Sequence, residues 1–207
     1  MNTQVARIIR EQIESLPFMD KVGGLVKVVT KQEQSNNGFT TKTFPVDCNV
    51  TSADCISGKY DDLIPNSKYK SIHYFEDLGV SISGQDQAFF DFVGKVKLVG
   101  WLNLKKLGKT DCNVSHLAQA AILKTIQAKN FNDSTSGFTR IQIRCDGIEP
   151  KTANIFSKYS YPESVTQYLM FPFDYYAMTF TVSFRVPYKC IDDWLVSTET
   201  NCVDNGA

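Results

Sequence analysis

Two histidines, His73 and His116, are the only imidazoles among 207 residues, and general-base or metal chemistry near neutral pH draws on that side chain first. His73 sits in a strand-like stretch and His116 in the first turn of a helical one, which reads as surface or capping-region histidines. Paired carboxylates are the other route to acid and base work or to holding a divalent ion. They occur at Asp61 and Asp62, Glu76 and Asp77, and Asp192 and Asp193, and nothing in the spacing fixes their mutual geometry. The six cysteines (Cys48, Cys55, Cys112, Cys145, Cys190 and Cys202) form no CxxC pair and have no histidine at ligand spacing, so the pattern offers no zinc site. Gly58-Lys59 lacks the flanking glycine and hydroxyl residue of a phosphate-cradling loop. Gly23-Gly24 precedes a strand where a dinucleotide fold needs a helix, and reads as a hinge. With no GxSxG or HExxH either, the expectation is no catalytic residue, no cofactor and no metal.

Lys95, Lys97, Lys105, Lys106 and Lys109 form the one local concentration of positive charge. They are candidate contacts to a phosphate backbone or an acidic partner, or guards of a long strand against aggregation. Lys plus Arg and Asp plus Glu both number 22, so no global field draws the chain to nucleic acid or an anionic membrane. The apolar runs fall far short of a spanning helix. The N-terminus lacks the apolar stretch of a secretory signal, so a cytosolic product with reduced, mostly buried cysteines is expected. The three Asn-X-Ser/Thr sequons, at Asn49, Asn113 and Asn132, then carry no meaning.

These residues are positioned by elements legible in the hydrophobic period. Val5, Ile8, Ile9, Ile13 and Leu16 recur at helical spacing, with Thr3 as cap and Pro17 as stop. LVKVVTK and FTTKTFPVDCNVT read as a hairpin looping over residues 32–38, with Pro45 placing the second strand at an edge or bulge. Residues 52–70 read as an extended loop, and SIHYFEDLGVSISG as one or two strands. Residues 92–104 alternate, with Phe92, Val96, Leu98, Leu102 and Leu104 on one face and Lys95, Lys97, Trp101 and Asn103 on the other. SHLAQAAILKTIQAK is a second helix whose apolar side is Leu117, Ala121, Ile122, Leu123 and Ile126. FTRIQIRC returns as a strand, and TANIFSKY as a short helix.

FDYYAMTFTVSFRVPY then alternates with period two throughout. At about 3.3 Å per residue it spans roughly 50 Å, well beyond a typical strand. Such a strand either crosses a wide sheet or pairs at its far end with something outside the subunit. The expected fold is one α/β (α+β) domain over residues 1–207. It has a mixed, mostly antiparallel sheet, an N-terminal and a central helix packed on one face, a long C-terminal strand, and a tail from residue 189.

This order of elements, carried by VARIIREQIESLP, KVKLVGWLNL before SHLAQAAILKTIQA, and YYAMTFTVSFRVPY, resembles that of the tail-terminator and head-to-tail joining proteins of tailed bacteriophages. The resemblance implies a structural, non-catalytic subunit of the virion neck or tail, made in the host cytoplasm. It would form a ring with copies of itself, meet portal, neck or tail proteins, and surround the DNA channel. The loop at 52–70 and the tail at 189–207 exceed what small terminators need and leave the level of the ring open. A ring needs two unlike patches that fit head to tail; Ile9, Ile13, Tyr175, Tyr176, Phe180 and Phe184 are the candidates, with the long strand supplying a free edge. A small-molecule or peptide binding module and a metal-dependent enzyme using an acidic pair are the alternatives.

Overall fold

A computed structural model of the chain describes residues 1–35, 38–47, 63–111, 113–126, 131–150, 154–160 and 167–191. Seven strands form one sheet: β1 (Lys21–Ser35), β2 (Gly38–Asp47), β3 (Ser71–Gln85), β4 (Phe89–Asn103), β5 (Phe131–Asp133), β6 (Phe138–Glu149) and β7 (Phe173–Pro187), in the order β2-β1-β3-β4-β7-β6-β5. Every pairing is antiparallel except β1 with β3. The two longer helices are α1 (Asn2–Ile13) and α2 (Val114–Thr125). The mixed, mostly antiparallel architecture with a long last strand is therefore as the periodicity predicts.

The hydrophobic effect assigns the two faces of this sheet to separate cores. On one face α1 buries Val5, Ile8, Ile9 and Ile13 against Phe75, Val96, Leu98 and the even-numbered residues Tyr176 to Val186 of β7. Each fully buried aliphatic or aromatic side chain there contributes about 1.5–3 kcal/mol. The opposite face carries a second core of Ile72, Tyr74, Trp101 and Ala177, closed by Ile155, Phe156 and Tyr159. Residues 155–158 run as turns, so the short helix expected at TANIFSKY does not form among its described residues. Trp101 belongs to this second core, donating its indole N–H to the Tyr168 carbonyl at 2.6 Å.

Several local expectations are corrected. Thr3 does not cap α1; Met1 occupies that position without a side-chain bond, and the helix ends at Ile13, before Pro17. Gly23 and Gly24 lie inside β1, where the pairing with β3 slips between Val22 and Leu25. A Cβ on Gly23 would meet the Leu63 methyls at 3.0 and 3.1 Å, and the Gly24 N–H donates to Asp47 Oδ2 at 2.7 Å. The pair is a close-packed bulge, not a hinge. α2 is rotated from its expected face: Val114, Ser115, Ala118, Gln119 and Ile122 are buried, while Leu117 is 64% exposed. Small residues toward the sheet let the helix sit close, and the Asp174 carboxylate of β7 accepts the Ser115 N–H at 3.3 Å, where a negative group suits the helix N-terminus. Pro45 does lie on an edge strand, since β2 pairs only with β1 among the described residues.

Candidate functional site

The residues singled out for chemistry do not converge. His73 is fully buried, contrary to its reading as a surface histidine, and His116 is exposed near the start of α2. His73 Nε2 lies 2.8 Å from the Tyr176 hydroxyl, and burial lowers the imidazole from its ordinary 6.5 to about 3 while raising the Tyr176 phenol. A base needs access to its substrate, and this one is sealed beneath Phe18 and Tyr176. Glu76 and Asp77 point to opposite faces. Glu76 accepts from the Tyr159 hydroxyl at 2.7 Å and pairs with Lys158 at 2.6 Å, whereas Asp77 accepts from Asn2 at 2.5 Å. The pairs Asp61 and Asp62, and Asp192 and Asp193, lie outside the described residues, as do Cys48, Cys55, Cys112 and Cys202. Cys190 is buried, and Cys145 is half-exposed, not buried. Among the described residues no three His, Cys, Asp or Glu side chains cluster as metal ligands, and no helix is long and apolar enough to cross a membrane.

The five lysines divide between two places. Lys95 and Lys97 stand mid-strand on β4, where Lys97 is paired with Glu149 at 2.7 Å and Lys95 lies near Asp146, whose carboxyl is held below the usual range first by the Thr181 hydroxyl, then by Arg144, and least by Lys95. Lys105, Lys106 and Lys109 are exposed beyond the end of β4, and Lys106 donates to the Lys68 carbonyl at 2.6 Å. The six steps of extended chain from Lys97 to the end of β4 at Asn103 alone cover roughly 20 Å. No single basic patch results.

The candidate interface residues are corrected too. Ile9, Ile13, Tyr176, Phe180 and Phe184 are buried in the subunit's own core, and Tyr175 packs its ring against Phe156 at 5.3 Å. The apolar face of each element is consumed by the opposing layer, leaving none of the first five for a neighbour. Nor is β7 a free ribbon. It pairs along its whole length with β4, from Phe89↔Pro187 to Asn103↔Phe173, and from Ala177 to Arg185 with β6. Its length is used to span a wide sheet.

Open edges lie elsewhere. The outer side of β3 is covered by β1 only as far as Glu76, although its inner side continues on β4 to Gln85. From Asp77 to Gln85 that outer side has no strand partner among the described residues. Leu78, Val80 and Ile82 are exposed along it, Ile82 to 61%. The segment LGVSISGQ contains no proline and no charge, so it lacks the usual devices that blunt an edge. β2 is protected, by contrast. It carries Lys42 and Pro45, and Ser160 caps Thr43 through a 2.9 Å backbone bond and a 2.7 Å side-chain bond. Another open edge is on β6. β5 covers it only around Phe138 to Ile141, and from Gln142 to Glu149 the outer side has no strand partner among the described residues, with Ile148 48% exposed.

One concave feature accompanies these edges. Leu16, Pro17 and Phe18, after α1, face Leu107 and the Leu117 side of α2 across an apolar groove of about 360 Å³, with Lys109 on its rim. Sequence reasoning missed both the edges and the groove. The signal for β3 was present in LGVSISGQ, an alternating apolar segment without lysine or proline; the signal for the groove was absent, because it depends on how α2 is rotated.

No protein-family model matches the chain, and no curated protein is similar to it.

Proposed function

We propose that this chain is a structural, non-catalytic subunit that assembles with copies of itself into a ring in the neck or tail of a tailed bacteriophage, joining head or portal to tail around the DNA channel. β7 offers no free edge over its central length, since β4 and β6 occupy both its sides from Ala177 to Arg185. The observation that carries the reading is instead the uncharged, apolar outer edge of β3. A protein that blunts β2 with proline and a covering segment but leaves the outer side of β3 without a strand partner among the described residues has a use for that edge in pairing. The order of elements, retained in the fold, supports the virion assignment by resemblance. The burial of His73 and the divergence of Glu76 and Asp77 favour scaffold over enzyme.

Size-exclusion chromatography with light scattering, followed by negative-stain microscopy, tests this directly. A closed oligomer with a central hole, formed alone or on a portal-type partner, is expected. A strictly monomeric species at high concentration, with no ring on any such partner, overturns it. The binding-module reading rests on the apolar groove between Leu16–Phe18 and α2; stabilisation by an apolar ligand without self-assembly would favour it.

A further inference from the structure

We propose that the outer edge of β3 in one copy pairs with the outer edge of β6 in the next, so that the sheet runs on from subunit to subunit. This rests on the self-assembly reading above and names its interface.

The two edges match in four respects. Each is a stretch where a long strand lacks a strand partner on one side among the described residues, Asp77 to Gln85 on β3 and Gln142 to Glu149 on β6, nine and eight residues long; β1 from Lys27 to Ser35 and the outer side of β2 are unpaired too, but carry Lys27, Lys31 and Glu33, and Lys42 and Pro45. Their directions suit each other. β3 is antiparallel to β4, β4 to β7, and β7 to β6, so β3 and β6 run in opposite directions. A rotation that carries one sheet onto the end of another brings them together as an antiparallel pair. Such a head-to-tail contact uses two different surfaces and can close into a ring.

Their exposed apolar side chains also lie on one face of the sheet. Directly opposed residues of an antiparallel pair share a face. Val80 is opposite Gly94, where a Cβ would lie 3.2 Å from Val5 of α1, and Ile82 is opposite Phe92 of the α1-side core. On β6, Cys145 is opposite Phe180 and Ile148 opposite Met178, both in that same core. Joining the edges therefore sets Val80 and Ile82 beside Cys145 and Ile148, extending the α1-side core across the boundary. Finally, the charges do not conflict. The β3 span is uncharged from Leu78 onward and its Asp77 accepts from Asn2, while Arg144 and Asp146 of β6 form their own pair at 2.8 Å on the other face.

The test uses two variants of the full chain, Ile82→Lys and Ile148→Lys, each at an exposed position, with thermal unfolding to verify that the fold survives. Light scattering should show wild type as a closed oligomer and each variant as a monomer. Mixed in equal amounts, the two variants should form a one-to-one dimer and nothing larger, because only the intact β6 edge of the first and the intact β3 edge of the second remain to meet. If β3 instead paired with β3, Ile148→Lys would remain a dimer and the proposal would fall. If both variants still form the wild-type ring, this interface is wrong while the ring reading stands. A monomeric wild type that also forms no ring on a portal-type partner removes both. Should a lysine variant unfold, Ile82→Thr and Ile148→Thr keep a β-branched residue, and each is expected to raise the dissociation concentration about tenfold; no change with either would overturn the pairing.

Discussion

The Nε2 of His73 on β3 and the hydroxyl of Tyr176 on β7 meet at 2.8 Å across the intervening strand β4. They do so over Gly100, which is in register with both residues. A Cβ at that position would lie 2.5 Å from Tyr176 Cζ and 2.9 Å from His73 Cδ2. The contact exists because the strand between them presents no side chain.

Gly100→Ala should therefore be among the costliest small substitutions in the chain. Two rings with no free volume around them must move, and overpacking of this kind costs about 1–3 kcal/mol or more. The urea midpoint of the variant should fall clearly below wild type; an unchanged midpoint would show that the rings shift freely.

Acid should weaken the fold through the same pair. Burial lowers His73 from 6.5 to about 3, so the folded state binds fewer protons than the unfolded one. Its contribution is then full above about pH 6.5 and is lost as pH falls toward 3. Stability measured by denaturant from pH 7 to 4 should drop, and His73→Phe should flatten that slope. Tyr176→Phe should cost about 1–3 kcal/mol at pH 7, because it strands a buried ring nitrogen.

Glu76 ties the segment bearing Lys158 and Tyr159 to β3 from the second face of the sheet. Lys158 is 42% exposed, so its ion pair counts for little, and the buried Tyr159 hydroxyl bond carries the link. Tyr159→Phe is expected to cost about 2 kcal/mol, the range for a bond to a charged acceptor. Hydrogen exchange at residues 154–160 should quicken before the α1-side core does. Uniform protection in the variant would argue against this account.

Asn2 performs a comparable task at the start of α1. Its side-chain amide donates to Asp77 Oδ1, to the Gly79 carbonyl at 3.0 Å and to the Lys95 carbonyl at 3.2 Å, fixing the bulge where β3 turns into its open edge. Asn2→Ala should lower stability by about 1–2 kcal/mol. It should also speed exchange in residues 78–82; if it leaves that exchange unchanged, the bulge holds itself.

Local periodicity was enough to find most of the strands, α1, the even-numbered core face of β4, and the alternation of β7, because a side chain's face follows from its own chain's repeat. It marked SIHYFEDLGVSISG as one or two strands, and Pro45 as the mark of an edge or a bulge. Only the tertiary structure decided that β7 lies between β4 and β6, that α2 turns Ala118 inward and Leu117 out, that His73 is buried under Tyr176, and that β3 and β6 keep edges without a strand partner among the described residues. Each of those outcomes depends on which distant segment arrives to cover a surface. That is settled by packing the whole sheet against its two layers, and no repeat within a single strand records it.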